Sequence, residues 1–153
     1  MTIPPVPRRA LAALPLLAVA EARATPLDQV RETYRRFVAA QNARDVAAVR
    51  GFLLDSPDYL WISDGRAYWG PEAMLARFGG FQALEVWEAR PDFGAMRAVA
   101  VADDVAFLHF PLELLVGSRA APERYHFLID ALFRRVGDGW RIAALFTTNE
   151  NRG

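Results

Sequence analysis

The helical and strand patterns of this chain occupy separate stretches, and this order constrains the fold more than any other feature. Apolar residues recur at helical spacing from Leu27 to Ala43 and again after Asp45, whereas the chain beyond Leu84 is dominated by strand patterns. Helices that precede a run of antiparallel strands are typical of α+β domains, in which they pack on one face of the sheet. We therefore expect an α+β fold, with a cone-shaped, curved antiparallel sheet wrapped over N-terminal helices.

The first helix has a start signal and a continuous apolar face. Thr25 suits the N-cap and Pro26 the first helical position. Asp45 is expected to cap a second short helix, and Pro57 ends the helical region. The residues that share the buried face of the first helix are Leu27, Val30, Tyr34, Phe37, Val38 and Gln41.

Turn signals divide the remaining chain into strands and one more helix. Asp64-Gly65 predicts a tight hairpin turn, and Gly79-Gly80 is expected to stop a helix that starts at Pro71. A break near Pro91 and Gly94 predicts a bend in a long strand. The predicted strands are 59–63, 66–69, 84–101 with its bend, 105–116, 124–136 and 140–148.

Residues 1–24 have the pattern of an export signal. Arg8 and Arg9 precede an eleven-residue apolar run, and Ala22-Arg23-Ala24 forms a small-x-small cleavage site. The run is shorter than the roughly 20 residues that a bilayer requires, so we expect no membrane span. The paired arginines indicate twin-arginine export, with general secretion or a disordered arm as alternatives. We expect the mature chain to start at Thr25, a single domain over 25–153, and a periplasmic or secreted location.

Composition excludes several classes of function. All 18 basic residues are scattered arginines and the net charge is zero, so we expect no nucleic-acid partner. The absence of cysteine excludes disulfides, thiolate nucleophiles and cysteine-ligated zinc. Two histidines form no recognisable ligand cluster, so we expect no metal. No phosphate-binding, dinucleotide-binding or nucleophile-elbow motif occurs, and we expect no cofactor.

Two segments carry a resemblance to a known superfamily. They are Phe37-Val38-Ala39-Ala40-Gln41-Asn42-Ala43-Arg44-Asp45, and Asp130-Ala131-Leu132-Phe133-Arg134-Arg135-Val136-Gly137-Asp138-Gly139-Trp140-Arg141-Ile142. Together with Gly70 and the order of elements, they resemble the nuclear-transport-factor-2-like superfamily, which includes SnoaL-like proteins, ketosteroid isomerase and scytalone dehydratase. The resemblance covers residues 27–150 and implies an apolar pocket inside the cone. It implies little about activity, because the fold hosts many chemistries.

Asp130 is the first candidate catalytic residue. It interrupts an apolar strand, and its position resembles that of the acid which ketosteroid isomerase keeps protonated to stabilise an oxyanion. The alternative is a structural carboxylate that pairs with an arginine or with backbone groups. Phe37 falls where that enzyme has its oxyanion tyrosine, and Tyr34, one turn earlier, is the candidate substitute. Asp64 is closest to the position of its general base, but it is better explained by the turn.

Both histidines are further candidates for proton transfer. His126 shares a strand face with Asp130 at about 13 Å, and His109 lies on a neighbouring strand. For each histidine the alternative is a structural role. Apolar residues near the predicted cavity wall are candidate ligand contacts, with plain core as the alternative. These candidates are Phe37, Trp61, Trp69, Trp87, Leu128 and Phe146.

Two functions are compatible with this sequence. The first is an exported module that binds a small hydrophobic molecule without catalysis, and the missing tyrosine and carboxylate favour it. The second is a cofactor-free lyase, isomerase or cyclase that acts on a small hydrophobic carbonyl compound. Such an enzyme moves protons with titratable side chains whose pKa values are displaced in a dry pocket. The strand 105–116 is apolar on both faces except near His109 and Glu113. Superfamily members often pair through the exposed sheet face, so we also expect a homodimer.

Overall fold

A computed structural model of the chain describes residues 24–151. The predicted export signal, residues 1–24, lies outside the described residues except for Ala24. The described elements follow the predicted order of two helices, a hairpin, a third helix and then long strands. No helix among these residues combines the length and apolar character needed to cross a membrane.

Helix α1 spans Pro26–Asn42, within one residue of the predicted bounds. The Thr25 side chain accepts a hydrogen bond from the Asp28 backbone, and the Asp28 side chain bonds back to the Thr25 backbone. The buried side chains recur every three to four residues, so one face of the helix is turned to the sheet. They are Val30, Tyr34, Phe37, Val38 and Gln41.

The next two helices are shorter. Helix α2 (Val46–Arg50) begins where Asp45 accepts a hydrogen bond of 2.9 Å from the Ala48 backbone, as predicted. Helix α3 (Pro71–Gly80) does not stop before its two glycines, which corrects the prediction. Gly80 has φ −62° and ψ −24°, so it stays helical and leads into a short 3-10 helix, Phe81–Ala83. The continuation places Phe81 beside the sheet.

Seven strands form one curved, open sheet. Their order is β2-β1-β7-β6-β5-β3, and β4 also pairs with β5. All pairs are antiparallel except β1 with β7, which is parallel. The strands are β1 (Leu60–Ser63), β2 (Arg66–Trp69), β3 (Val86–Pro91), β4 (Arg97–Ala102), β5 (Val105–Gly117), β6 (Pro122–Val136) and β7 (Gly139–Asn149).

The predicted turn and bend are both present. Asp64 and Gly65 have φ of 52° and 68°, the left-handed conformation that a tight hairpin turn requires. The break near Pro91 separates β3 from β4, and both strands pair with different halves of β5. The ladders also shift register between Leu132 and Phe133. Such irregularities increase the bend of a strand and allow the sheet to curve over the helices.

The sheet has an inner face toward α1 and an outer face away from it. Along β6, Ile129, Ala131 and Phe133 are buried, whereas Leu128, Asp130 and Leu132, which alternate with them, are only half-buried. The inner side chains pack on α1, where the Tyr34 and Phe110 rings meet edge to face at 4.6 Å. The helices therefore close one side of the sheet and leave the outer face uncovered by the described chain.

Candidate functional site

A cavity of about 760 Å³ lies between the inner face of the sheet and helices α1 and α3. Its size falls within the roughly 300–1,000 Å³ typical of small-molecule sites. Most of the wall is aromatic or aliphatic. The main apolar contributors are Trp61, Phe78, Phe81, Trp87, Leu112 and Phe127.

One wall of the cavity is a cluster of three rings. Phe81 stacks on Trp87 at 5.9 Å, and Phe78 meets the same indole edge to face at 5.3 Å. The rings come from the end of α3, the 3-10 helix and β3, so the continuation of α3 through its glycines assembles them. Rings held against each other in this way present a rigid, flat apolar surface.

Two polar side chains of α1 line the cavity from the most buried side. Tyr34 is 2% exposed and Gln41 is 8% exposed. Neither side chain has a hydrogen-bond partner within residues 24–151, and seven helical residues separate them by about 10 Å along α1. Burial, and secondarily the nearby Tyr59, raises the pKa of Tyr34 far above its usual value. The Tyr34 phenol is therefore a neutral donor in the wall of the cavity.

A second set of polar groups lies on β1 and β7. The indole nitrogen of Trp61 donates to the hydroxyl of Thr147 at 3.2 Å, which fixes the orientation of the indole. Ser63, two residues further along β1, is buried and lines the same cavity. Because strand side chains alternate, Trp61 and Ser63 share the inner face. Asn149 extends the polar strip beyond Thr147.

An ion pair closes the site on the side of the first hairpin. Arg77 of α3 donates to Asp64 in the turn between β1 and β2. The Arg77 guanidinium lies 5.3–5.6 Å from the ring centroids of Trp61, Tyr68 and Phe81. A cation over aromatic faces is stabilised electrostatically, so the rings hold Arg77 in place.

The structure brings four of the predicted site residues to the cavity: Tyr34, Trp61, Trp87 and His126. His126, near the start of β6, lines the cavity although it alternates in step with Leu128 and Asp130 of the outer face, and its Nδ1 is buried without a hydrogen-bond partner. Its backbone carbonyl accepts a hydrogen bond of 2.9 Å from Glu150.

Asp130 and His109 do not line the cavity, which corrects their predicted position. They are cross-strand neighbours on the outer face, and His109 Nδ1 lies 2.7 Å from Asp130 Oδ1. Their side chains are 40% and 32% exposed. A shift of one residue along a strand moves a side chain to the opposite face, so Ile129 and Ala131 face inward instead. Asp130 has a structural partner, and that partner is histidine rather than arginine.

Four predicted ligand contacts also lie elsewhere. Phe37 is fully buried in the core against Tyr34 and Phe52. Trp69 is 61% exposed, because β2 is an edge strand that turns this residue away from the inner face. Leu128 and Phe146 flank Asp130 on the outer face by the register of β6 and β7. These four side chains therefore lie in the core, on an edge strand or on the outer face, and not in the cavity wall.

Sequence reasoning did not find Arg77, Phe78, Phe81 or Thr147 as site residues. Phe78 and Phe81 are three residues apart, which on a helix places them on one face, and that spacing was the available signal. Thr147 alternates with Leu145 on β7 and so shares its face. Arg77 had no local signal, because its three aromatic partners come from separate elements.

The chemistry that this arrangement supports is recognition of an apolar body by rings and of polar groups by a few directed donors. No group of three or more His, Asp or Glu side chains within residues 24–151 is placed to hold a metal ion. The carboxylates that line the cavity are Asp64, which is paired with Arg77, and Glu150.

A curved sheet closed by N-terminal helices around an internal cavity defines the class as an α+β domain with the nuclear-transport-factor-2-like fold. Within this class, residues 30–145 match the family model of the SnoaL-like domain, and the chain belongs to this family. No curated protein shows a significant match to the chain.

Solved structures share the fold at low sequence identity. A putative dehydratase of the NTF2-like family from Streptomyces avermitilis has a TM-score of 0.72 and 17% identity, and the match covers 82% of this chain and 96% of that chain. An NTF2-like superfamily protein from Salmonella enterica has a TM-score of 0.71 and 14% identity, over 81% and 91% of the two chains. An uncharacterized protein with a cystatin-like fold from Caulobacter vibrioides has a TM-score of 0.70 and 15% identity, over 82% and 89%.

Proposed function

We propose that this protein binds a small, flat hydrophobic molecule in the cavity between the sheet and helices α1 and α3. The observation that carries the proposal is a 760 Å³ space that has an aromatic wall and is lined by Tyr34 and Gln41, two buried residues whose side chains have no hydrogen-bond partner in the described chain. Buried polar groups are normally hydrogen-bonded, so Tyr34 and Gln41 have donors that a ligand would use. The ligand therefore presents an apolar ring system and at least one acceptor, such as a carbonyl or ether oxygen.

Binding has more support than catalysis. A lyase or isomerase needs a positioned base, and Asp64, the carboxylate nearest to the predicted base position, is a turn residue whose side chain is 65% exposed to solvent. Asp130 and His109 lie on the other face of the sheet. The neutral Tyr34 phenol supports hydrogen bonding to a ligand, and proton transfer from it is disfavoured by its raised pKa. The similarity to a putative dehydratase supports only the shared fold.

The test is a titration with 2-acetylnaphthalene, a neutral bicyclic ketone, followed by tryptophan fluorescence. Leu114 lines the cavity, and Leu114→Trp fills part of it. The control is Ala39→Trp, which adds a tryptophan on the exposed face of α1. Saturable binding that Leu114→Trp abolishes and Ala39→Trp retains supports the proposal. Loss in both variants, or no binding to the unmodified protein, overturns it.

The proposed working form is an exported homodimer. The outer face carries half-buried apolar side chains that no other part of the described chain covers, and uncovered apolar patches of this kind mark interaction surfaces. Examples are Phe107, Pro111, Leu128 and Phe146. Light scattering at tens of micromolar tests the dimer, and Phe146→Asp is expected to convert it to a monomer. A monomer mass for the unmodified protein contradicts the dimer.

Export is tested separately. Fractionation of cells that express the full chain shows whether the protein reaches the periplasm or the medium.

A further inference from the structure

Arg77 has more hydrogen-bonding capacity than its surroundings use. Its guanidinium has five N–H donors, of which the structure pairs only an Nη2 donor, with one oxygen of Asp64. Nε is buried without a partner, and Nη1 has no acceptor within the described part of the chain. Arg77 thus lines the cavity with most of its N–H donors unpaired.

The rings around Arg77 fix its position but do not replace an acceptor. Trp61, Tyr68 and Phe81 surround Cζ at similar distances and exclude water from part of the guanidinium. The Arg77 side chain is 27% exposed, against 65% for Asp64. An exposed carboxylate returns to water easily, so Asp64 is an exchangeable partner for a more buried cation.

The other charges of the cavity do not compete for this role. Arg124 also lines the cavity, but its Nη1 donates to Glu113 at 2.8 Å. The second carboxylate of the wall, Glu150, is an acceptor and has an interaction of its own. Arg124 also uses one donor only, but its side chain is 58% exposed, so water reaches its other donors. Of these two arginines, Arg77 is therefore the one with a buried donor that lacks an acceptor.

We propose that Arg77 binds a carboxylate of the ligand, so that the natural ligand is a flat hydrophobic carboxylic acid whose charged group displaces Asp64. A planar carboxylate matches the guanidinium fork with two parallel hydrogen bonds, whereas the Asp64 side chain supplies one. The ring system of the ligand then lies against Trp87 and Phe81. This inference rests on the proposed binding function and specifies the class of ligand.

The experiment compares 2-naphthoate with its neutral methyl ester by calorimetric titration at pH 7. The unmodified protein is expected to bind the acid about tenfold more tightly than the ester, since hydrogen bonds to charged groups are strong. Arg77→Met keeps an apolar stem against the rings and is expected to reduce the ratio of the two dissociation constants to within about twofold. Arg77→Lys keeps the charge without the fork and is expected to give an intermediate ratio.

Two further variants complete the design. Asp64→Asn removes the competing charge and is expected to tighten binding of the acid while leaving the ester unchanged. Arg119→Met, in the exposed loop between β5 and β6, is the matched control and is expected to keep the tenfold ratio. Thermal melts establish that each variant is folded.

The outcomes separate this inference from the proposed function. A ratio near one in the unmodified protein, or a ratio that Arg77→Met leaves intact, overturns the carboxylate assignment, while ester binding upholds the cavity as the binding site. Failure of both probes to bind overturns the assignment and the proposed function together.

Discussion

Two buried tyrosines differ in whether they line the cavity, and this difference yields a matched pair of substitutions. Tyr34 lines the cavity, whereas Tyr59 is fully buried in the core with a hydroxyl that has no partner. The change to phenylalanine removes one oxygen in each case. It keeps the ring contacts, including that of Tyr34 with Phe110 at 4.6 Å.

The expected effects of the two substitutions differ. An unpaired buried hydroxyl costs about 1 kcal/mol or more, so Tyr59→Phe is expected to raise the free energy of unfolding by about 1 kcal/mol. That gain corresponds to roughly 3–5 °C in Tm for a domain of this size. Tyr34→Phe is expected to change stability by less than about 0.5 kcal/mol, because Tyr34 lines the cavity and its hydroxyl is not among the fully buried atoms of the described chain that lack a partner. It is expected to weaken 2-acetylnaphthalene binding by roughly fivefold, the loss of one neutral hydrogen bond.

Urea unfolding followed by circular dichroism, and the fluorescence titration with 2-acetylnaphthalene, measure the two quantities on the same samples. Tyr59→Phe serves as the control for binding and is expected to keep the affinity of the unmodified protein. The reasoning is refuted if Tyr34→Phe binds as tightly as Tyr59→Phe, because the Tyr34 hydroxyl would then not face the ligand.

Three more predictions concern pH, the outer face and one tertiary contact. Burial raises the pKa of both Tyr34 and Tyr59, so the unfolded chain loses these two protons at lower pH than the folded chain. The stability that these two groups contribute is full below about pH 10 and is expected to fall above it, with a slope that approaches about 2.7 kcal/mol per pH unit. Urea unfolding at pH 9–11 measures the slope, and each Phe substitution is expected to lower it by about 1.4 kcal/mol per pH unit. Asp130→Asn is expected to leave 2-naphthoate affinity unchanged by calorimetry, and a fivefold loss would return this residue to the site. The Asn42 side chain bonds both backbone groups of Ala89 at 2.8 and 2.9 Å, so Asn42→Ala is expected to cost about 2 kcal/mol in urea unfolding, whereas no change would show that other partners replace it.

The fold was predictable where local signals agree. Thr25, Pro26 and the periodic apolar residues together place α1 to within one residue, because capping, backbone restriction and burial all favour the same start. The hairpin turn at Asp64-Gly65 was predictable because left-handed conformations strongly favour glycine and short polar residues. The end of α3 was not predictable, because Gly79 and Gly80 tolerate helical as well as terminating geometry.

The site was only partly predictable, because its register depends on long-range pairing. Trp61 and Trp87 lie on the inner face of the sheet and Tyr34 on the buried face of α1, where the sequence pattern indicates burial. Asp130 was assigned to that face, yet the alternation of β6 turns Ile129 and Ala131 inward. The register shift between Leu132 and Phe133 leaves Ala143 of β7 unpaired, so counting back from the last hairpin does not give the residue of β7 that lies beside Asp130.

The four tryptophans offer the most direct test of binding in the cavity. Trp61 and Trp87 line the cavity. Trp69 is exposed on an edge strand, and Trp140, which is not part of the cavity wall, donates a hydrogen bond of 3.3 Å to Gln29. The measurement is a proton–nitrogen NMR titration of the four indole N–H signals with 2-acetylnaphthalene. We predict that the Trp61 and Trp87 signals shift together and saturate while those of Trp69 and Trp140 stay in place. Shifts at Trp69 alone, or no shift at saturating probe, would contradict binding inside the cone.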